Sequence, residues 1–131
     1  MEPILINKYD NMPRQDYPRP AWVRSEWYSL NGEWEFEFDF SVSGEQRAMF
    51  LNGEFKNKIT VPFCPESKLS GIGYRDFMPC VWYRKHFDID IPQNSRVLLH
   101  FGAVDYESKV WVNGNLCGTH KGGYCAFSYD I

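Results

Sequence analysis

From Leu30 to Phe40 the chain settles into strict alternation. Trp34, Phe36, Phe38 and Phe40 take one parity, and Glu33, Glu35, Glu37 and Asp39 the other. A period of two belongs to a strand, whose successive side chains point to opposite faces. This strand therefore has an aromatic face and an acidic face. The acidic face is read as solvated, because catalytic carboxylates need a shielded cleft to separate their proton affinities.

Downstream the same reasoning gives more strands. Ile59-Thr60-Val61 is a short one stopped by Pro62. Val81 to Phe87 follows, with Val81, Tyr83, Lys85 and Phe87 on one face and Trp82, Arg84 and His86 on the other. Arg96 to Phe101 is apolar on both parities and reads as a central strand, reached through a turn at Ile91-Pro92-Gln93-Asn94-Ser95. Glu107 to Val112 runs into Asn113-Gly114, a strong hairpin signal because both residues tolerate positive φ. The return strand is Asn115 to Gly118, and a Gly122-Gly123 turn leads to Cys125 through Ile131. Residues 41 to 57 are polar, with room for one helical turn. Residues 62 to 79 form a long loop rich in proline and glycine, the kind of segment that often carries function. Before residue 30 the chain is irregular. Tyr17-Pro18-Arg19-Pro20 suits neither a helix nor a central strand, so residues 1–29 are expected to be an extended arm laid on the surface of a β-domain at 30–131. Many short strands, regular turns and no long helix predict an all-β antiparallel sandwich or jelly roll.

Composition narrows the functions. The 131 residues carry a net charge of −3. That argues against nucleic acid, which is bound by clustered Lys and Arg; the one basic run, Arg84-Lys85-His86, alternates faces within a strand. No apolar stretch reaches the ~18 residues of a membrane span, and the N-terminus has no apolar core of a secretory signal. The expected location is cytoplasmic. Cys64, Cys80, Cys117 and Cys125 are accordingly read as reduced thiols. None pairs as C-x-x-C, and His86, His100 and His120 are scattered, so no metal or other cofactor is expected. Aromatics reach 18%. Such rings stack on sugars, but in these strands most are core.

Several blocks carry a family resemblance. Tyr17-Pro18-Arg19-Pro20, Arg24, Trp27 and Leu30-Asn31-Gly32-Glu33-Trp34-Glu35-Phe36 resemble the opening of the sugar-binding domain of family 2 glycoside hydrolases, the β-galactosidases, β-glucuronidases and β-mannosidases. Val61-Pro62-Phe63-Cys64-Pro65-Glu66-Ser67 and Val81-Trp82-Tyr83-Arg84-Lys85 are similar to its V-P-x-x-x-E-S and W-Y-R-[RK] blocks. Leu99 to Tyr106, Val110-Trp111-Val112-Asn113-Gly114 and Gly118 to Ile131 follow in family order.

The resemblance implies a galactose-binding-domain-like jelly roll that is incomplete, since Asp130-Ile131 falls inside a family block. Further strands, an immunoglobulin-like domain and a (β/α)₈ barrel with both catalytic glutamates would follow. The chain is then non-catalytic by itself, and its partners are carbohydrate in the parent enzyme's active site and those missing domains. An unpaired sheet edge also predicts self-association. The resemblance further implies that the segment before the W-Y-R block approaches the substrate. Arg75 and Asp76 either hydrogen-bond sugar hydroxyls there or form a surface ion pair. Cys80 stands near a position where some bacterial β-galactosidases carry asparagine. Two other readings stay open: a stand-alone carbohydrate-binding module, for which Tyr74, Phe77 and Tyr124 are the loop aromatics, and a structural or assembly domain without ligand.

Overall fold

The computed structural model describes Ile4–Leu5 and residues 26–131. Most of the expected N-terminal arm, Tyr17-Pro18-Arg19-Pro20 included, lies outside the described residues. The described residues are mostly strands, paired antiparallel but for one pair, with one short α-helix, the make-up of a β-sandwich. In order come β1 (Ile4–Leu5), β2 (Glu26–Trp27), β3 (Gly32–Phe38), α1 (Met49–Asn52), β4 (Asn57–Val61), β5 (Val81–Arg84), β6 (Leu98–Phe101), β7 (Glu107–Val112), β8 (Asn115–Lys121) and β9 (Phe127–Asp130). Among the described residues only β1 and β2 pair in parallel.

The described residues cluster into two compact units. The first takes in Ile4–Leu5, residues 26–49 and Gly53–Lys85. Its sheet runs β4-β3-β5, and β3 sits centrally because it is hydrogen-bonded to β4 along one edge and to β5 along the other. On the aromatic face, Phe36 is fully buried. It meets Phe38 and Tyr83 edge-on at 5.0 and 5.2 Å between centroids, the favoured geometry for ring quadrupoles. The register places Phe36 opposite Tyr83 and Glu37 opposite Trp82, so the two faces predicted for β5 hold. The strand itself stops at Arg84, short of the expected Phe87.

The acidic face of β3 departs from expectation: it is not simply solvated. Glu33 takes Lys58 at 2.8 Å with both side chains about two-thirds exposed. Glu35 takes Arg84 through two nitrogens at 2.5 and 3.1 Å, partly buried. The Glu37 carboxylate accepts the Lys56 amide. Asp39, just past the strand, is buried with 2% of its surface exposed. Burial rises along the face, and each carboxylate has a donor, as burial of charge demands.

The second unit, Phe50–Asn52 and His86–Ile131, holds two pairs, β6-β9 and β7-β8. The β7–β8 hairpin turns at Asn113 (φ 49°) and Gly114 (φ 79°), the left-handed pair that the Asn-Gly signal implied. A bulge follows, since Val110 opposes Gly118 while Trp111 opposes Leu116. Tyr129 lies over Gly118, where a Cβ would meet its ring at 2.7 Å. β6 corrects the expectation of a central strand. Among the described residues it pairs with β9 alone, and its residues alternate between half-buried Leu99 and Phe101 and exposed Leu98 and His100. Phe101 stacks on Phe127 at 4.9 Å. Among the described residues β6 is therefore hydrogen-bonded along one edge, and only the Leu99 and Phe101 parity is half-buried.

Candidate functional site

The candidate site is the loop from Pro62 to Cys80, which joins β4 to β5 within the first unit. It is long but not loosely held. The Tyr74 amide donates to the Pro65 carbonyl at 3.0 Å and closes a neck. Below that neck a 3-10 turn, Lys68–Ser70, is capped by Ser67, whose side chain accepts the Ser70 amide. The Ser70 side chain, 1% exposed as a residue, donates to the Ser67 carbonyl at 2.8 Å and accepts the Ile72 amide at 3.1 Å. A buried hydroxyl satisfied in this way replaces the backbone partners that a sheet would supply. The Tyr74 ring packs on Phe38 at 4.9 Å and Phe40 at 6.1 Å, so it belongs to the aromatic face and offers no free platform.

At the other side of the loop, burial pushes the Tyr83 phenol up to about 12, and the charges of Glu66 and Cys64 add to the effect. Beyond the neck, Arg75, Asp76 and Phe77 are all exposed, Phe77 at 84%. Among the described residues Arg75 and Asp76 form no ion pair with each other. Both remain available to a ligand, with five donors on one and a two-oxygen acceptor on the other.

Cys80 sits elsewhere, at the root of the loop. Its carbonyl accepts the Asp39 amide at 3.0 Å. Burial raises its thiol above the usual range, and the charge and hydrogen bonding of Asp39 raise it further. It is a half-buried thiol whose surroundings disfavour the thiolate. The three predicted residues therefore divide: Arg75 and Asp76 share the tip, and Cys80 marks its anchorage.

The anchorage is a centre that sequence reasoning assigned to open solvent. The Asp39 carboxylate accepts the Gly44 amide at 2.7 Å, the Ser43 amide at 3.1 Å and the Trp82 indole N–H at 3.1 Å. Arg47 adds a guanidinium at 3.3 Å. Burial by itself would raise this carboxyl. The Trp82 bond, the two amides and the Arg47 charge outweigh it and hold the group down at about 2. Gly44 is required beneath the indole, since a Cβ there would lie 2.2 Å from the Trp82 Nε1. The signal was present in Asp39-Phe40-Ser41-Val42-Ser43-Gly44, an aspartate leading a turn whose amides it can bond. Among the described residues no group of His, Cys, Asp or Glu could hold a metal ion.

The sequence blocks and the strand order have a common source. Residues 27–131 match the family described as glycosyl hydrolases family 2, sugar binding domain. The chain belongs to that family. Among the curated members it resembles, a β-galactosidase of Thermoanaerobacter pseudethanolicus is 46% identical over 57 residues, 43% of this chain and 8% of that protein. A β-glucuronidase of Streptococcus agalactiae is 35% identical over 76% of this chain and 16% of its own length. The human β-glucuronidase is 30% identical over 88% of this chain and 19% of its own. The chain thus spans a fifth or less of the length of these family 2 members. A solved β-glucuronidase from Ruminococcus gnavus, in complex with a C6-substituted uronic isofagomine, superposes with a TM-score of 0.70 at 25% identity. It covers 78% of this chain and 18% of its own. The family 2 sugar-binding fold therefore accounts for the sandwich, and loop 62–80 lies wholly within the matched residues.

Proposed function

We propose that this chain is the non-catalytic N-terminal domain of an enzyme that hydrolyses terminal β-linked sugars, of the β-glucuronidase or β-galactosidase kind. Loop 62–80 lends its tip to that enzyme's substrate pocket. The observation that carries this reading is a pinned loop with a polar tip: Tyr74 fixed on Phe38 and Phe40, and Arg75, Asp76 and Phe77 exposed just beyond it. Ordering a free loop on binding costs affinity, and a pre-organised one avoids that cost. A guanidinium beside a carboxylate matches sugar hydroxyls, which both donate and accept. The guanidinium also matches a sugar carboxylate in bidentate fashion. A retaining glycosidase needs two further carboxyls ~5 Å apart, which this reading assigns to a barrel outside the 131 residues. The part played by this chain is to bind and orient the substrate.

The test uses the complete enzyme that carries the domain, assayed on nitrophenyl β-glucuronide and β-galactoside. Arg75→Ala and Asp76→Ala should each raise KM about tenfold with kcat little changed, the mark of lost uniform binding. Unchanged KM in both variants on every hydrolysed glycoside would remove the loop from the pocket.

A further inference from the structure

We infer that Asp39 is a positioning residue: a buried anionic latch that clamps the root of loop 62–80 and so fixes where its tip is presented. The geometry is two-sided. The Asp39 amide takes the Cys80 carbonyl at 3.0 Å, while its carboxylate takes the indole of Trp82, two residues further on, at 3.1 Å. The same carboxylate gathers the amides of Ser43 and Gly44. One residue therefore ties the turn after β3 to the end of the loop and the start of β5. The second hold is the Tyr74 ring on Phe38 and Phe40, which flank Asp39. Between Tyr74 and Cys80 only the tip is left unclamped, so the tip's direction is set by its two ends. Buried bonds to a carboxylate are worth more than neutral ones and leave a costly orphan when cut. The latch opens locally, at the loop, before it opens the sheet.

This inference rests on the reading of the loop as part of a substrate pocket, and its test separates the two. Hydrogen exchange is followed by mass spectrometry on the complete protein bearing Asp39→Asn, with Trp82→Phe in parallel. The second variant keeps the carboxylate and an aromatic ring but deletes the indole donor. Exchange across residues 69–79 should accelerate about tenfold in each variant that folds, with residues 107–121 unchanged as internal reference. Unchanged exchange at 69–79, or equal acceleration in both segments, overturns the latch. The kinetic arm then reads the pocket: with a loosened loop, KM should rise several-fold while kcat holds. If exchange accelerates and KM does not move, the latch stands and the placement of the tip in the pocket fails.

Discussion

Asp39 puts a charge where water cannot reach it, and such a group is tolerated only when surrounded by donors. Its partners are two backbone amides, an indole N–H, a guanidinium and the Ser41 hydroxyl. The linkage to pH follows from a carboxyl held at about 2 in the fold against an ordinary value near 4 when unfolded. A depressed acid stabilises the fold above its unfolded pKa. That contribution is lost as pH falls from about 4 to about 2. It amounts to roughly 2 kcal/mol. Urea midpoints measured at pH 6 and pH 3 should drop more in the parent chain than in Asp39→Asn, whose amide has no proton to gain. Parallel curves would mean that other carboxyls carry the acid sensitivity. Nothing in the alternation of β3 set this aspartate apart from Glu33, Glu35 and Glu37. Parity tells which face a residue takes, but not whether a neighbouring turn folds over that face.

At the level of elements, the turn from Asp39 to Gly44 and the start of β5 pack without spare room. Trp82 is buried, and its indole lies flush on Gly44. Gly44→Ala should destabilise the chain by about 2 kcal/mol, as over-packing of a tight contact does, while Gly71→Ala, with open space around it but a positive φ, should cost about 1 kcal/mol through strain alone. Thermal melts of the two variants check the order; a reversal would mean that the indole yields. The elements most legible in the sequence were those with local determinants. The parities of β3 and β5 and the Asn113-Gly114 turn needed only period and turn chemistry. The packing of Tyr74 on Phe38 and Phe40 and the pairing of β6 with β9 depend on residues distant in the chain, for which a linear pattern has no mark. Tyr74 is the instructive case. A tyrosine between a glycine and an arginine reads as a loop aromatic, yet Phe38 and Phe40 draw it onto the sheet.

For the molecule as a whole, family membership was readable because blocks that build turns and strand faces kept their order across residues 27–131. The candidate site was readable only in part. Arg75 and Asp76 stand out as polar residues in a long loop, whereas their support comes from Asp39, which is 43 residues before its Trp82 partner. That separation has a consequence in time. The β7–β8 hairpin closes over a two-residue turn, and hairpins of this kind form in about 1–10 μs. The contact between Asp39 and Trp82 must wait for a far larger loop to close, and its entropy is lost before any bond is gained. Contacts that close after the barrier leave the folding rate unchanged, and weakening them is felt on the way out. In stopped-flow chevrons, Asp39→Asn should leave the folding limb within about twofold and carry most of its lost stability as faster unfolding. The carboxylate that aims the loop would then also set the lifetime of the folded first unit.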